Sequence, residues 1–258
     1  MPRFKLVLEY EGTRYRGWQV QANARSVQGE ILAAARRALG TDALDLQGAG
    51  RTDAGVHALG QAAHLDADTA LAPERLRLAL NDALPPDIHV LELSKAPPGF
   101  HARKDARARV YLYQVSRRRT ALAKRFVWWV RQPLDVARMA RCARRFEGFH
   151  DFRSFMDARA GDKSSLVALD EARVREAGDL ILFRFRGSHF LWKMVRRMVG
   201  VLVAIGRGDH SEKDVARFLS APSPEPARLT AAPSGLFLEK VLYEGDPDPV
   251  DLEPLIRL

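Results

Sequence analysis

The sequence of 258 residues predicts an α+β fold made of two halves. Segments in which apolar and polar residues alternate, typical of strands, are interspersed with segments whose apolar residues recur every three or four positions, typical of helices. Residues 8–15 (LEYEGTRY) and 183–190 (FRFRGSHF) indicate the two halves, because both give an alternating strand, a glycine, a hydroxyl residue and then an aromatic residue. Chance similarity over so few positions is the alternative. With the boundary near residue 105, the halves span residues 1–105 and 106–258.

The N-terminal half is predicted to begin with a strand and a helix. Ser26 is a good N-cap, because its hydroxyl oxygen can accept a hydrogen bond from the first helical turn, and Gly40 ends the helix. Pro73 opens a second helix, which Pro85 and Pro86 end. The predicted elements are a strand at 4–10, a helix from 26 to about 39, strands at 44–49 and 61–66 around a glycine-rich loop, a helix at 73–84 and a strand at 87–93.

The C-terminal half opens with a strongly strand-like segment, residues 106–115, in which Tyr111 and Tyr113 share one face. Asp135 then caps a basic helix that Gly148 ends. The remaining predicted elements are strands at about 167–175 and 180–186, a helix at 191–205, a short helix capped by Ser211, a loop at 221–233 and a strand at 236–243. We expect the acidic, proline-rich end from Glu244 to be loosely held.

The charge of the chain indicates a polyanionic partner. Forty-one Lys and Arg residues against 32 Asp and Glu residues give a net charge of +9 and a pI near 10.0. Residues 101–145 alone contain fourteen Lys or Arg and two Asp, a net charge of +12, interleaved with five aromatic residues that include Tyr111 and Trp129. Because cations neutralise phosphates and aromatic rings stack on exposed bases, this segment predicts nucleic-acid binding. The alternative is an arginine-rich surface over aromatic residues of the core.

The cysteine content and the hydropathy indicate a cytoplasmic protein. Cys142 is the only cysteine of the sequence, which excludes an intrachain disulfide, a CxxC pair and a cysteine-based zinc site. The first ten residues reach Glu9 before an apolar signal sequence develops. The candidate membrane segment, residues 191–205, carries three basic residues, and its uncharged part is shorter than the roughly 20 residues of a membrane span.

A glycine-rich segment, residues 48–58 (GAGRTDAGVHA), has the features of a catalytic loop. It lacks the Gly-Lys-Ser/Thr ending of a P-loop, and Asp53 stands where a dinucleotide-binding loop needs its third glycine. The glycines allow the main chain to approach a ligand, and Arg51 would lower the pKa of Asp53 if the two side chains pair. An ionised aspartate of this kind serves as a nucleophile or as an anion. The alternative is an aspartate that caps a local turn.

The predicted helix at 191–205 carries a basic stripe on an otherwise apolar surface. Lys193, Arg196 and Arg197 share one side of it, and of the two arginines we expect Arg196 to be the less exposed. A buried arginine needs an anionic partner, for which Asp53 or a phosphate group is the natural candidate. The alternative is that the long basic side chains reach past the apolar surface to solvent.

Several other chemistries are excluded or disfavoured. The seven histidines show none of the HxH, HxxxH or HExxH spacings of metal sites, so we expect no metal. A single cysteine excludes the zinc-dependent base deaminases. The sequence contains no GxSxG motif, which disfavours acyl transfer. It also contains no second carboxylate in a context comparable to that of Asp53, which disfavours glycosidase chemistry. His57 and His101 either contact substrate or have structural roles.

Taken together and in order, the motifs resemble those of the TruA family of tRNA pseudouridine synthases over essentially the whole chain. The loop at 50–58 (GRTDAGVHA) is similar to the segment that carries the family's catalytic aspartate. The further matching blocks are YRGWQ at 15–19 with SVQ at 26–28, FHAR at 100–103 followed by RVYLY at 109–113, DFRSF at 151–155, MVRRMVG at 194–200 and GLFL at 235–238. Two places depart from the family: residues 162–166 lack the expected arginine, and Trp192 and Lys193 stand where some relatives have histidine.

The resemblance implies a pseudouridine-synthase fold, in which two ferredoxin-like halves with mainly antiparallel sheets join around a central basic cleft. It implies an isomerase that converts uridine to pseudouridine at positions 38, 39 and 40 in the anticodon stem-loop of tRNA. It also implies a homodimer that uses neither a cofactor nor a metal.

Individual residues receive roles from the same resemblance. Asp53 is then the catalytic aspartate, Tyr111 the ring that stacks on the target uracil, and Arg196 the basic residue paired with Asp53. Arg51 is expected to enter the RNA or hold it open, and Leu236 of the last block to contact the substrate. The basic residues expected to contact RNA are Arg103, Lys104, Arg109, Lys193 and Arg197.

The implied reaction needs a base outside the helix stack. Flipping costs a few kcal/mol, much of which stacking on Tyr111 offsets. Two routes are open: the Asp53 carboxylate adds to C6 of the uracil, or it acts at C1′ or C2′ of the ribose during glycosidic cleavage. In both, the uracil detaches, turns and rejoins through C5. An isomerisation consumes no second reactant, which explains why no cofactor motif occurs.

Overall fold

The computed structural model describes residues 1–157 and 164–258 and divides the chain into two compact units. The first unit comprises Met1–Arg107 and Phe237–Asp246, and the second comprises Ala108–Leu236 and Pro247–Leu258. The structure thus differs from the predicted division at residue 105 by giving residues 237–246 to the first unit. The segment at 162–166, where the sequence departs from the family, lies in part outside the described residues.

The first unit is a sheet with two helices. Its elements are β1 (Arg3–Tyr10), α1 (Val27–Leu39), β2 (Leu44–Gly48), β3 (His57–Ala67), α2 (Pro73–Ala83), β4 (Ile88–Lys95) and, from Phe237 onwards, β10 (Leu236–Leu242). The strands β4, β1, β3 and β2 are antiparallel neighbours in that order, as in a ferredoxin-like βαββαβ unit. The beginning of β3 also pairs in parallel with Phe237 and Leu238 of β10, which is why this late segment belongs to the first unit.

The bounds of α1 confirm the prediction, whereas β3 begins earlier than predicted. Ser26 Oγ accepts a hydrogen bond from the Gly29 N–H (3.3 Å), and Gly40 ends the helix with a φ of 65°. β3 begins at His57 and not near Gln61, because Gly60 lets β10 approach closely. A Cβ at Gly60 would lie only 2.8 Å from the carbonyl oxygen of Glu239. The loop between β2 and β3 is therefore short, and it carries Asp53.

Alternation along β1 builds the core of the first unit. Phe4, Leu6 and Leu8 are buried, as are Ile31 of α1 and Leu76 of α2. Burial of a side chain of this size contributes roughly 1.5–3 kcal/mol. This packed sheet and its helices form the scaffold from which the loop of Asp53 extends.

The second unit is a mainly antiparallel sheet with a buried helix. Its elements are β5 (Ala108–Ser116), β6 (Trp128–Trp129), α3 (Val136–Ala143), β7 (Gly148–Asp151), β8 (Leu166–Ala177), β9 (Leu180–Gly187), α4 (Met194–Arg207), α5 (Lys213–Ser220) and α6 (Glu225–Arg228). The strands β5, β9, β8 and β7 are antiparallel neighbours in that order, and β6 pairs in parallel with β5. The α+β class predicted from the sequence is confirmed in both units.

The helix α4 is almost entirely buried, with twelve of its fourteen residues inaccessible to solvent. A Cβ at Gly200 would lie 1.7 Å from the carbonyl oxygen of Leu229, and one at Gly206 would lie 2.6 Å from Met139 Sδ of α3. The two glycines therefore allow neighbouring segments to reach the helix backbone. Over residues 1–157 and 164–258, no helix combines the length and the apolar character that crossing a membrane requires.

Helix bounds in the second unit differ from the prediction, among them the start of α5, whose N-cap is Glu212 and not Ser211. α3 ends at Ala143, and the residues up to Phe146 form a turn of 3₁₀ helix. Gly148, with a φ of 106°, starts the short strand β7, which the sequence did not predict because its pairing partner at Leu169 is distant in sequence. α4 begins at Met194 and not at Leu191.

The expectation of a loose C-terminal end is wrong. Residues 247–258, which we term the C-terminal tail, are held by four arginines of β8 and β9, which we term the arginine row: Arg173, Arg175, Arg184 and Arg186. In the row, Arg184 donates to the carbonyl oxygens of Pro249 and Asp251, and Arg173 to that of Val250 (3.3 Å). Ion pairs join Arg186 to Asp248 (2.6 Å) and Arg175 to Glu253 (3.0 Å), and Leu252 is buried. The acidic residues that led us to expect a loose end thus pair with the positive charges of the arginine row.

Candidate active site

Asp53 lies partly buried in the loop between β2 and β3. The Val56 N–H donates to the Asp53 carbonyl oxygen (3.2 Å) and closes a turn in which Gly55 has a φ of 77°. The loop is tied to the segment after β1, because the Trp18 N–H donates to the Thr52 carbonyl oxygen (3.1 Å) and the Gly55 N–H donates to that of Tyr15 (3.3 Å). Hydrogen bonds on both sides of Asp53 therefore fix its backbone.

Two glycines of the segment after β1 allow this close approach. A Cβ at Gly12 would lie 1.9 Å from the Val56 carbonyl oxygen, and one at Gly17, whose φ is 95°, would lie 2.5 Å from that of Thr52. The hydroxyl groups of Tyr10 and Thr52 are hydrogen-bonded at 2.9 Å in a buried position. The YRGWQ block thus has a structural explanation: it forms the support of the Asp53 loop.

Arg51, two residues before Asp53, is exposed. Its pairing with Asp53 stays a prediction. An exposed guanidinium in this loop remains available to RNA phosphates or bases, which is the role that the resemblance assigns to it.

The two histidines singled out in the sequence have structural contacts. His57 is buried and stacks on Phe237 with ring centroids 4.8 Å apart, and its Nδ1 accepts a hydrogen bond from the Gly12 N–H (2.9 Å). The same nitrogen lies 3.7 Å from Glu11, but an accepting nitrogen carries no proton to share with a carboxylate. His101 Nδ1 accepts from the backbone N–H groups of Arg103 and Lys104 at 3.2 and 3.4 Å.

A third histidine lies between two carboxylates that the sheet register brings together. Asp45 of β2 faces Asp66 of β3, and oxygen atoms of both lie within 4.8 Å of a ring nitrogen of His64. The cluster does not suit a metal ion. His64 Nδ1 accepts from the Ala102 N–H (3.1 Å), which puts the proton of the neutral ring on Nε2, and Arg3 holds both oxygens of Asp66 at 2.7 Å. Burial and the charge of Arg3 also lower the pKa of His64.

Arg103 and Lys104 lie in an exposed turn of the first unit. The turn is held by the ring of His101 and by Asp105, whose carboxylate accepts from the His101 N–H (2.8 Å). Both basic side chains therefore extend from a backbone that these hydrogen bonds hold.

In the second unit, Tyr111 lies on β5 with Arg109 two residues before it. Tyr111 is 9% exposed, and Phe190 packs edge-on against it with ring centroids 4.9 Å apart. Arg109 Nη1 donates to the Ser188 carbonyl oxygen (2.8 Å). Both contacts come from the FRFRGSHF segment, whose Gly187 pairs with Arg109 in the sheet. The segment that resembles residues 8–15 in sequence thus supports the Tyr111 strand as the earlier one supports the Asp53 loop.

Leu236 lies at the end of a loop that packs on β5. It is 5% exposed, and a Cβ on the preceding Gly235 would lie 2.6 Å from the Gln114 carbonyl oxygen. The buried Tyr113 hydroxyl donates to the Ala232 carbonyl oxygen (2.7 Å), and burial raises the pKa of Tyr113 well above its ordinary value. Tyr113 is therefore a neutral structural residue, whereas Tyr111 retains some exposure.

The basic residues of α4 differ in their surroundings, and the expected order of exposure is wrong. Arg197 is buried, and Arg196 is only partly so. Arg197 Nη2 lies 3.5 Å from Asp157, which also pairs with Lys193 Nζ at 2.9 Å. Arg196 Nε donates to the Ala231 carbonyl oxygen (2.8 Å). The burial of Arg197 could not be predicted from helical periodicity, because Asp157 lies 40 positions before Arg197. Arg196 and Asp53 lie in different units, and their pairing stays a prediction.

The chain matches a family model described as tRNA pseudouridine synthase over residues 6–103 and 142–244. It is 45% identical to the tRNA pseudouridine synthase A of Rhodopseudomonas palustris strain BisA53 over 95% of this chain and 100% of the relative. Identity to the tRNA pseudouridine synthase A of Moorella thermoacetica is 42% over 94% and 100% of the two chains, and to that of Geobacter sulfurreducens 40% over 94% and 100%.

Among solved structures, a chain of a Cbf5-Nop10-Gar1 complex is similar with a TM-score of 0.35 and 12% identity, over 77% of this chain and 54% of that chain. A similarity this weak supports no conclusion about the chain.

The α+β units and these full-length relatives define the class of the protein, an isomerase that acts on uridine in tRNA. The chain belongs to the tRNA pseudouridine synthase family. The resemblance drawn from the sequence motifs is confirmed.

Proposed function

We propose that the enzyme isomerises uridines 38, 39 and 40 in the anticodon stem-loop of tRNA and that Asp53 is its catalytic group. The observation that carries the proposal is the Asp53 loop: a partly exposed carboxylate stands on a backbone that hydrogen bonds to Tyr15 and Trp18 hold on both sides. A carboxylate that reacts with a substrate must be held in a fixed direction, since misplacement by about 1 Å lowers rates by roughly 100-fold.

The bond changes of the reaction balance without a second reactant. The N1–C1′ bond of uridine breaks, a C5–C1′ bond forms, C5 loses its proton and N1 gains one. If Asp53 attacks C6 or C1′, its carboxylate forms a bond that breaks again before release. If it acts at C2′, it takes up a proton and returns it. In each case Asp53 leaves the cycle unchanged, the proton of C5 is released to water, and N1 takes up a proton.

The remaining site residues bind the RNA in this proposal. Tyr111 stacks on the flipped uracil, Leu236 packs against the same nucleotide, and Arg196 supplies positive charge to Asp53 or to a phosphate. Arg51 enters the RNA or holds it open. The exposed Arg103 and Lys104, together with Arg109, contact phosphates, and such contacts supply most of the affinity for RNA.

The location and the oligomeric state belong to the same proposal. We place the enzyme in the cytoplasm, where a single free cysteine, Cys142, suits the reducing conditions. The homodimer rests on the family resemblance. A sedimentation mass of 28.9 kDa, that of one chain, would contradict it.

The test uses a tRNA transcript labelled with tritium at C5 of its uridines. We expect the wild type to release tritium into water, and Asp53→Ala and Asp53→Asn to release none while binding the transcript within about threefold of the wild type. Asp68→Asn, which removes an exposed carboxylate elsewhere in the first unit, is the matched control.

Three outcomes would contradict the proposal. Normal release by Asp53→Ala would exclude Asp53. Release from a transcript with cytidine at positions 38, 39 and 40 would place the reaction at other uridines. A wild type that binds the transcript without release would identify a binding protein without catalysis.

A further inference from the structure

We propose that Asp157 is a positioning residue, which fixes the beginning of α4 and thereby the direction of Arg196. The part that concerns turnover rests on the role of Arg196 in the proposed function. Asp157 follows the DFRSF block, carries no role by the family resemblance and lies outside α4.

The first observation is a buried carboxylate between two cations of one helix turn. Asp157 is 6% exposed, and it pairs with Lys193 Nζ at 2.9 Å and with Arg197 Nη2 at 3.5 Å. Arg197 also donates to the carbonyl oxygen of Met156. Because Arg197 is itself buried, its charge requires this carboxylate. Residues 156 and 157 thus bind the first turn of α4 through two side chains.

The second observation is the backbone of Lys193. Lys193 has a φ of 63°, and within the described parts of the chain it is the one residue other than glycine with a positive φ. It occupies the N-cap position of α4 and forms no side-chain cap there. A lysine adopts the left-handed region only when its surroundings hold it. The ion pair with Asp157 supplies such a hold, and the Asp157 N–H donates to the carbonyl oxygen of Trp192, the preceding residue (3.3 Å).

The link from Asp157 to Arg196 is short. The Lys193 carbonyl oxygen accepts from the Arg197 N–H (3.0 Å), so the left-handed residue starts the hydrogen bonding of the turn that contains Arg196. On its other side, Arg196 exchanges two hydrogen bonds with Ala231, one from its Nε (2.8 Å) and one to its carbonyl oxygen (3.0 Å). Residue 231 fixes one side of Arg196, and Asp157 fixes where the helix begins.

This assignment changes what is expected of two cations. Lys193 and Arg197 were predicted from the sequence to contact RNA, but both pair with the buried carboxylate of Asp157, and Arg197 is itself buried. Because a buried guanidinium does not reach a phosphate, loss of the Asp157 charge should change turnover and leave tRNA affinity nearly unchanged, whereas loss of an RNA contact would lower tRNA affinity.

The first arm of the test is Asp157→Asn in the full-length enzyme. At saturating tRNA and at a temperature well below unfolding, we expect kcat to fall at least tenfold, with the dissociation constant for tRNA and its salt dependence within twofold of the wild type. Asp151→Asn is the matched control, because it removes an exposed carboxylate from the same segment. A lowered melting temperature with unchanged kcat would overturn the proposal, as would losses of affinity and kcat of equal size.

The second arm replaces Lys193. Glycine adopts the left-handed region freely and valine does so poorly, so Lys193→Gly should keep kcat within twofold and Lys193→Val should lower it at least tenfold. In the Asp157→Asn background, Lys193→Gly should recover at least threefold in kcat. Equal activity of the Gly and Val variants would overturn the role of the left-handed residue.

A third readout does not depend on activity. Amide hydrogen exchange at Arg197 should be at least tenfold faster in Asp157→Asn and unchanged in Lys193→Gly and Asp151→Asn. If the wild type makes no pseudouridine, the proposed function fails, and the exchange data still decide whether Asp157 holds α4. If the wild type is active and Asp157→Asn exchanges and turns over like it, only the positioning role fails.

Discussion

At the scale of the residue, the position of the Asp53 backbone depends on two glycines, which have no Cβ atom. Gly12 and Gly17 lack the Cβ that would collide with the backbone of the Asp53 loop. Their place in the sequence, 36 or more positions before Asp53, gave no hint of this contact, although the YRGWQ block could be recognised as a family motif. The chemistry of a loop can thus be predicted from its own residues. The contacts that hold its backbone in place cannot, because they come from residues that are distant in sequence.

Gly17→Ala should destabilise the protein and inactivate it together. The new Cβ would lie 2.5 Å from the Thr52 carbonyl oxygen, and the φ of 95° is unfavourable for alanine. We expect a loss of about 2 kcal/mol or more in the free energy of unfolding, measured in urea, and a large fall in kcat. Gly50→Ala is the control, because a Cβ there meets nothing within 4 Å. Equal stability of the two variants would show that the Asp53 loop is not held by this contact.

The two arginines of α4 show a second limit of prediction at this scale. Helical geometry places Arg196 and Arg197 on one side, but it cannot tell which of them is buried. The difference comes from Asp157, which is distant in sequence and follows a motif that does not include it. Helical periodicity does not predict an ion pair between residues that are distant in sequence. For that reason it did not predict the burial of Arg197.

At the scale of the element, local signals set the helix ends better than the strand ends. Ser26 and Gly40 bound α1 as predicted, because capping is a property of neighbouring residues. The start of β3 and the whole of β7 depend on partners that are remote in sequence, namely β10 and β8. The order of elements in the first unit could therefore be predicted, whereas in the second unit β7 and the short helix α6, inside the predicted loop at 221–233, could not.

A hydrogen-bonded carboxylate in the first turn of α5 gives the stability of the protein a dependence on pH. The carboxylate of Asp214, in the first turn, accepts hydrogen bonds from the Ser211 N–H (2.8 Å) and hydroxyl group (3.0 Å) and from Arg217 (2.8 Å). Burial alone would raise the pKa of Asp214, but these hydrogen bonds outweigh it and lower the pKa from 3.8 to about 2. The ionised form is therefore the one that stabilises the folded state.

Asp214→Asn should lower the free energy of unfolding by up to about 2 kcal/mol at pH 7. The folded-state pKa lies below the unfolded one, so this difference is complete above pH 4 and shrinks as the pH falls from about 4 towards 2. Urea unfolding of both proteins across this range measures it. Asp209→Asn, in an exposed ion pair with Arg207, should change stability by less than about 1 kcal/mol. A difference that stays constant with pH would contradict this role of the ionised Asp214 carboxylate.

At the scale of the whole molecule, the count of 41 Lys and Arg residues overstates the number of cations that are free to bind RNA. The arginine row is engaged by the carbonyl oxygens and carboxylates of the C-terminal tail, and Lys193 and Arg197 are engaged by Asp157. The basic segment at 101–145 was found by counting charges along the sequence. Which of the other cations are neutralised could not be counted, because each partner lies far along the chain.

Removal of residues 247–258 should make RNA binding less selective. The four arginines of the row would lose their acceptors, and we expect tighter binding to an unrelated single-stranded RNA with a steeper dependence on salt concentration. Filter binding at several salt concentrations measures both. Because truncation also uncovers apolar surface near Leu252, the double variant Asp248→Asn, Glu253→Gln, which keeps the tail, should show the same change to a smaller degree. Unchanged salt dependence in both variants would contradict this.

The C-terminal tail thus contacts the arginine row in the way that a nucleic-acid strand would. It lays a run of oxygen atoms along a row of guanidinium groups, as a sugar-phosphate backbone would, and it does so at an effective concentration that no free RNA can match. RNA would have to compete with the C-terminal tail for the arginine row. We therefore expect RNA to bind at cations outside the arginine row.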